Sequence, residues 1–150
     1  MIRVVWVGKT RLRTAAEWIE EYRRRISRFC PIEIVEVMDA LGRGRSRASR
    51  ESRALLGKIP DRGLVVALDE TGDSMTSREF AKFVGRSLTS RSEMTFVMGG
   101  PEGTSRELID AAGARLALSR LTLTHEMARV VLFEQIYRAF SILKGTPYHR

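Results

Sequence analysis

Three glycines in five residues make Gly99-Gly100-Pro101-Glu102-Gly103 the segment of this sequence best suited to holding a ligand. The segment follows an apolar run with the composition of a buried strand. Glycine lets the backbone approach a ligand closely or adopt a positive φ, and proline stiffens the loop by fixing its own φ. A sharp strand-to-helix turn without a ligand is the alternative interpretation.

Two other segments lie at the ends of predicted strands. The segment 119–124 (SRLTLT) is rich in leucine and hydroxyl residues, and Leu68-Asp69 closes an apolar run. Taken singly, each indicates core packing or a local turn. Because ligands of α/β proteins bind beyond the carboxyl ends of the strands, all three segments together predict one crevice. Its main-chain groups could bind a flat heteroaromatic ring between leucines.

The last three residues, Tyr148-His149-Arg150, combine a phenol, an imidazole and a guanidinium. Such a polar terminus ordinarily frays, so disorder is one interpretation and a catalytic tail the other. Upstream, His125 with Arg129 and Glu134 with Arg138 have the i,i+4 spacing that favours surface ion pairs on a helix.

The positive charge is concentrated in the first part of the chain. The formal net charge is +8, and residues 1–62 hold fifteen basic and eight acidic side chains. This imbalance indicates a polyanionic partner, most often nucleic acid. The arginines at 43, 45, 47 and 50 are separated mainly by small residues and predict a flexible phosphate-binding arm (Arg43, Arg45, Arg47, Arg50). A solvated basic face is the alternative.

Composition excludes several classes of protein. The single Cys30 excludes an internal disulfide, and two histidines are too few for a zinc cluster, so we expect no metal. No apolar run approaches the roughly 20 residues of a membrane span. We therefore expect no membrane association and a cytoplasmic location.

Short apolar runs alternate with segments of helical periodicity, which predicts a parallel α/β sheet. The predicted strands are residues 2–7, 32–37, 64–68, 94–98 and 114–118. The predicted helices are residues 14–28, a short helix ending near 57 after a mobile loop, one beginning after Thr76, 105–112 and 124–143. Thr14 with Glu17, and Thr76 with Glu79, have capping-box spacing. A ligand site beyond the carboxyl ends of the strands follows from this architecture.

The chain resembles the RlmH family, the small SPOUT-class methyltransferases of 23S ribosomal RNA that act on pseudouridine N3. The resemblance extends over essentially the whole chain. The motifs that carry it are Phe96–Gly103 (FVMGGPEG), Leu118–His125 (LSRLTLTH), Arg129-Val130, Tyr137–Ile142 (YRAFSI) and Pro147–Arg150 (PYHR).

The resemblance implies a single-domain SPOUT α/β knot over residues 1–150, with a C-terminal trefoil knot and a homodimer as the working form. It also implies S-adenosyl-L-methionine as cofactor and a pseudouridine in a 23S rRNA hairpin loop of the assembled ribosome as substrate. The cofactor contacts carried over by position are Leu68, Gly99, Ser119, Arg120, Leu121, Thr122, Leu123 and Thr124. Tyr148, His149 and Arg150 are the candidate catalytic residues. Arg120 and Thr124 depart from the family pattern, and we expect the Arg120 side chain to point away from the cofactor.

Two other functions fit part of this pattern. A SPOUT methyltransferase acting on tRNA would share the cofactor loops but modify free tRNA. A non-catalytic RNA-binding or ribosome-assembly factor would keep the basic surface without binding the methyl donor.

Overall fold

The computed structural model describes residues 1–149 and shows five parallel strands in the order β2-β1-β4-β3-β5. The strands are β1 Ile2–Val7, β2 Ile32–Val37, β3 Leu64–Ser74, β4 Met94–Met98 and β5 Ala114–Ala117. The helices are α1 Arg13–Ser27, α2 Gly44–Leu56, α3 Ser77–Arg91, α4 Arg106–Ala111 and α5 His125–Lys144. The predicted fold class, an α/β protein with a five-stranded parallel sheet, is confirmed. The trefoil knot stays a prediction.

The sheet lies between two layers of helices. α1, α3 and α5 bury the larger apolar core against one face, around Trp6, Phe96 and Phe133. α2 and α4 cover a smaller core on the other face, which includes Leu55 and Leu108. β4 is buried along its whole length because it lies at the centre of the sheet between both layers. Uniformly apolar strands are typical of such a position.

α1 begins differently from the prediction. The helix starts at Arg13, its N-cap is Leu12, and no side chain caps it, so the capping box predicted at Thr14 is wrong. The carboxylate of Glu126, on α5, instead accepts hydrogen bonds from the main-chain N–H groups of Arg11 and Leu12. Trp18 on this helix is 53% exposed. By contrast, the capping box of Thr76 and Glu79 on α3 is confirmed.

The segment predicted as a mobile arginine loop is largely helical. α2 begins at Gly44, so Arg45, Arg47 and Arg50 lie on a helix and only Arg43 precedes it, at the N-cap. The loop before α2 is held by Ala40 N–H, which donates to Glu51, and by the Leu41 carbonyl, which accepts from Arg50. The basic side chains therefore project from a fixed scaffold.

β3 is longer than the predicted strand 64–68, because residues 69–74 also belong to it. Leu68 lies opposite Leu116 of β5, and Asp73 lies opposite the same residue. The four residues between them bulge from the ladder and bring Asp69 and Glu70 to the end of the sheet. Among residues 1–149, no helix is long and apolar enough to cross a bilayer.

Candidate active site

A cleft of about 430 Å³ lies at the carboxyl ends of β3, β4 and β5, within the size range of ligand pockets. Three segments form its walls: Leu68 to Glu70, the loop 98–104, and residues 116–123 with His125 and Ala128 of α5. Parallel pairing accounts for this convergence, since Leu68 lies opposite both Met98 of β4 and Leu116 of β5. The three segments predicted to form one crevice do so.

The glycine loop is a tight turn with two distinct needs for glycine. Gly103 has a φ of +82°, which L side chains rarely adopt, and its N–H donates to the Gly100 carbonyl at 2.9 Å. A Cβ atom at Gly99 would lie 2.5 Å from the Gly103 carbonyl oxygen. The hydroxyl of Thr104 donates to the Leu68 carbonyl at 3.3 Å and fastens the loop to β3. The tight turn and the hydrogen bond to β3 thus hold the loop against the end of the sheet, where it forms one wall of the cleft.

Four residues of the segment 119–124 line the cleft. Ser119, Leu121, Thr122 and Leu123 line the cleft, and the Ser119 hydroxyl accepts from the Leu121 N–H at 2.9 Å. Arg120 is exposed and outside the lining. Thr124 is the N-cap of α5, where its hydroxyl accepts from the Met127 N–H at 3.4 Å.

The charge of the cleft wall favours a cation. Its lining contains the carboxylates of Asp69, Glu70 and Glu102, and no Lys or Arg lies among the described residues that line it. Asp69 also accepts hydrogen bonds from the N–H and hydroxyl of Thr71, which shapes the bulge of β3. Acidic side chains beside an apolar wall of leucines suit a ligand that is both positively charged and partly apolar.

Arg129 is a buried residue whose environment the sequence did not reveal. Its exposure is 2%, and its guanidinium lies over the Trp6 ring at 4.8 Å. It donates to the Val7 carbonyl and to the Thr10 hydroxyl at 2.9 Å. The predicted surface pair with His125 is therefore wrong. Burial lowers the pKa of Arg129 from its usual value, and the nearby carboxylates, among them Glu126, oppose that shift.

The C-terminal tail is folded against α1 and α5. The Tyr148 hydroxyl donates to Glu134 at 3.0 Å and lies 3.2 Å from the Tyr22 hydroxyl. Arg138 pairs with Glu134, as predicted, and its Nη1 donates to His149 Nδ1 at 3.4 Å, because arginine can only donate. Desolvation, followed by hydrogen bonds with Tyr22 and Glu134, raises the pKa of Tyr148, so its phenol stays protonated at neutral pH.

Within one chain, this tail and the cleft are well separated. Ala128 lines the cleft, and Arg138, which contacts His149, follows it by ten residues on the same helix. At 1.5 Å per residue this places the two about 15 Å apart along α5. Arg150 lies outside the described residues. In the folded chain Tyr148 and His149 therefore do not meet the predicted cofactor contacts.

Comparisons with known proteins show the family to which the chain belongs. The family model described as "Predicted SPOUT methyltransferase" matches residues 1–149, and the chain belongs to this family. A relative from Anaeromyxobacter sp. (strain Fw109-5) named Ribosomal RNA large subunit methyltransferase H is 45% identical over 99% of both chains. A relative with the same name from Geobacter sulfurreducens is 43% identical over 99% of this chain and 98% of its own. The resemblance inferred from the motifs is confirmed.

Solved structures support the fold. A probable methylase family protein from Haemophilus influenzae Rd KW20 has a TM-score of 0.54 at 14% identity and covers 98% of this chain and 67% of its own. A putative methylase family protein from Neisseria gonorrhoeae has a TM-score of 0.52 at 14% identity, with coverage of 97% and 93%. At this identity the likeness concerns the fold alone.

A substitution of Tyr148 tests whether its hydroxyl holds the tail against α5. Tyr148→Phe removes the hydrogen bond to Glu134, and we expect the free energy of unfolding to fall by about 1 kcal/mol at neutral pH. Because the folded state raises the pKa of the phenol, this contribution is present below about pH 10 and is lost as the pH rises above it. Urea unfolding across this pH range measures both effects.

The matched control is Tyr137→Phe. Its ring packs edge-on to Tyr148 at 4.7 Å, but its hydroxyl makes no hydrogen bond with the residues that the structure describes. We expect little change from this variant. An equal loss in both variants would show that the Tyr148 hydroxyl does not hold the tail.

Proposed function

We propose that this chain, acting as one SPOUT domain over residues 1–150, uses S-adenosyl-L-methionine to methylate N3 of a pseudouridine in a 23S rRNA hairpin loop. The assembled ribosome is the substrate in this proposal, and the chain works as a homodimer. The relatives named Ribosomal RNA large subunit methyltransferase H, which match almost the full length, support the choice of substrate.

The observation that carries the proposal is the acidic, leucine-walled cleft at the ends of β3, β4 and β5. A sulfonium donor is cationic and carries an adenine ring, which matches the carboxylates and the apolar wall. We assign the donor contacts to Leu68, Gly99, Ser119, Arg120, Leu121, Thr122, Leu123 and Thr124. Arg120 and Thr124 do not line the cleft, and in this proposal any contact from these two is made by the main chain.

S-adenosyl-L-methionine supplies an electrophilic methyl group whose leaving group is a neutral thioether. The chain's own residues must orient the acceptor and handle its N3 proton. Positioning alone can account for a large part of such a barrier. His149 is the candidate base, since a neutral imidazole has a ring nitrogen that can accept a proton, and Arg150 is the candidate cation for the target nucleobase or its phosphate. Tyr148, which stays protonated, is suited to hydrogen bonding.

The distance along α5 implies that the tail serves the cleft of a second subunit. Two large apolar side chains are exposed at the start of α5 and in the segment before it: Leu121 by 78% and Met127 by 47%. Leu121 also lines the cleft, so a partner that covers this patch would close the open side of the donor site. Exposed apolar patches of this kind are typical of protein interfaces.

The RNA surface in this proposal lies on α2 and the preceding loop. Arg43 and Arg45 are exposed, and Arg50 is exposed while bound to the Leu41 carbonyl. The Arg47 side chain is only 19% exposed and pairs with Glu51. We therefore assign direct phosphate contacts mainly to Arg43 and Arg45.

Mass spectrometry of 23S rRNA tests the function. In a strain that lacks this protein, we expect one pseudouridine to lose a single methyl group, and purified protein with donor should restore it on ribosomes. Loss of a methyl group from tRNA instead would favour the tRNA enzyme. If the purified protein showed no heat of binding on titration with S-adenosyl-L-methionine, the non-catalytic RNA-binding factor would be favoured.

Mixed dimers test the contribution of the tail in trans. Gly99→Ala should disable the donor loop, because its Cβ would lie 2.5 Å from a carbonyl oxygen, and His149→Ala should disable the tail. Each variant alone should be inactive. After subunit exchange, half of the dimers are mixed and each has one complete site, so methyl transfer should recover to about a quarter of the wild-type rate. No recovery would place the tail and the donor site of one chain in the same active site.

Substitution of two exposed arginines tests the RNA surface. Arg43→Ala with Arg45→Ala should weaken ribosome binding and reduce the slope of log affinity against log salt by about one to two, with donor affinity unchanged. Arg86→Ala with Arg91→Ala, which removes two exposed arginines from α3, is the matched control. An equal change in both variants would indicate a general charge effect.

A further inference from the structure

The carboxylate of Glu51 is buried in α2 directly behind the glycine loop. The residue is 1% exposed. Its Oε1 accepts hydrogen bonds from Arg47 Nε at 2.8 Å and from the Ala40 N–H at 3.2 Å. A buried carboxylate is costly unless it is paired, and Arg47 provides that pairing.

The other carboxylate oxygen, Oε2, faces the donor loop. It is buried and makes no hydrogen bond with the described residues. A Cβ atom built on Gly100 would lie 2.3 Å from it, so the Cα hydrogen of Gly100 in that direction points at Oε2. Such a Cα–H to oxygen contact is weakly attractive and specific in its geometry. A side chain at position 100 would therefore meet Glu51.

A second residue of α2 holds the same segment. The hydroxyl of Ser52, which is 1% exposed, accepts a hydrogen bond from the Ser105 N–H at 3.3 Å. Neither Glu51 nor Ser52 lines the cleft, whereas Gly100 and Thr104 do. α2 thus supports the cleft wall from its far side.

We propose that Glu51 is a positioning residue, which holds the Gly99–Gly103 loop in the shape that binds the methyl donor. This inference rests on the proposed function. A contribution to stability does not by itself explain why a carboxylate is buried at position 51, since a buried ion pair is often no more stabilising than apolar packing of the same volume. The unpaired oxygen directed at Gly100 indicates a role in loop geometry, and Arg47 acts through Glu51.

Donor affinity of Glu51 variants tests the inference. Glu51→Gln keeps the side-chain volume, but it removes the charge paired with Arg47 and directs an N–H group at Gly100 if the amide oxygen keeps the bonds from Arg47 and Ala40. We expect the Kd for S-adenosyl-L-methionine, measured by calorimetry, to rise about tenfold. The matched control is Asp110→Asn, which removes the charge from an exposed i,i+4 pair. In that pair Arg106 Nε lies 2.9 Å from the Asp110 carboxylate, and Arg47 Nε lies 2.8 Å from that of Glu51. We expect this control to leave the Kd unchanged.

A double-mutant cycle separates positioning from general stability. Gly100→Ala should raise the Kd at least tenfold, because its Cβ would collide with Oε2. In the Glu51→Ala background that space is open, so the same substitution should add less than about twofold. A purely structural role of Glu51 would lower the unfolding temperature without producing this non-additivity.

The outcomes separate the inference from the proposed function. If the wild-type chain fails to bind S-adenosyl-L-methionine, the proposed function is wrong. If the wild type binds the donor and folded Glu51→Gln binds it equally well, the role of Glu51 is overturned while the function stands. The same holds if the effects of Gly100→Ala and Glu51→Ala on the Kd are additive.

Discussion

The parallel pairing of β3 with β4 is the constraint on which the site depends. The two strands are in register from Leu64 opposite Met94 to Leu68 opposite Met98, so Leu68 and the last residue of β4 lie at the same height. The glycine loop that follows β4 therefore lies beside Leu68, and the pairing of β3 with β5 brings in the third wall. A shift of one residue would turn the side chains of a strand to the other face of the sheet. Buried apolar residues on both faces oppose such a shift.

The bulge of β3 adds polar groups to this apolar framework. Residues 69–72 leave the ladder between two contacts with Leu116 and return to it. Gly72 permits the return, since a Cβ there would lie 2.7 Å from the main-chain nitrogen of Leu116. Asp69 and Glu70 consequently reach the cleft from a strand whose residues 64–68 are mostly buried. The acidic character of the site and the packing of the sheet thus come from one continuous element.

Local sequence patterns were sufficient for the strands and for the glycine loop. The apolar runs at 2–7, 32–37 and 94–98 match β1, β2 and β4, because buried parallel strands require such runs. The capping box at Thr76 was confirmed, whereas the one at Thr14 was wrong because α1 begins one residue earlier, at Arg13, and Glu126, remote in sequence, binds the main chain just before it. The i,i+4 spacing of His125 and Arg129 gave a wrong prediction of a surface pair. Such spacing favours ion pairs on exposed helix faces, whereas the Arg129 side chain is buried in the core.

The tertiary contacts that hold the cleft wall and the tail could not be predicted from local sequence patterns. Nothing near Glu51 in the sequence indicates that it lies behind Gly100, because the contact joins residues of two elements that are distant in the chain. The docking of Tyr148 on Tyr22 and Glu134 is likewise a tertiary contact, so the composition of the tail pointed to fraying. The arginines of α2 were identified as a cluster, but their helical arrangement and the burial of Arg47 depend on the same long-range packing.

The order of strands also has a consequence for how the chain folds. β1 occupies an inner position, yet one of its two neighbours is β4, and Ile2 lies opposite Met94. During synthesis β1 and β2 can associate early, but the other edge of β1 stays open until the distant β4 emerges. Sheets built from such remote pairings fold slowly, and unpaired strand edges promote aggregation in the meantime. Temporary cover of the β1 edge by a chaperone should therefore increase the yield of folded chain.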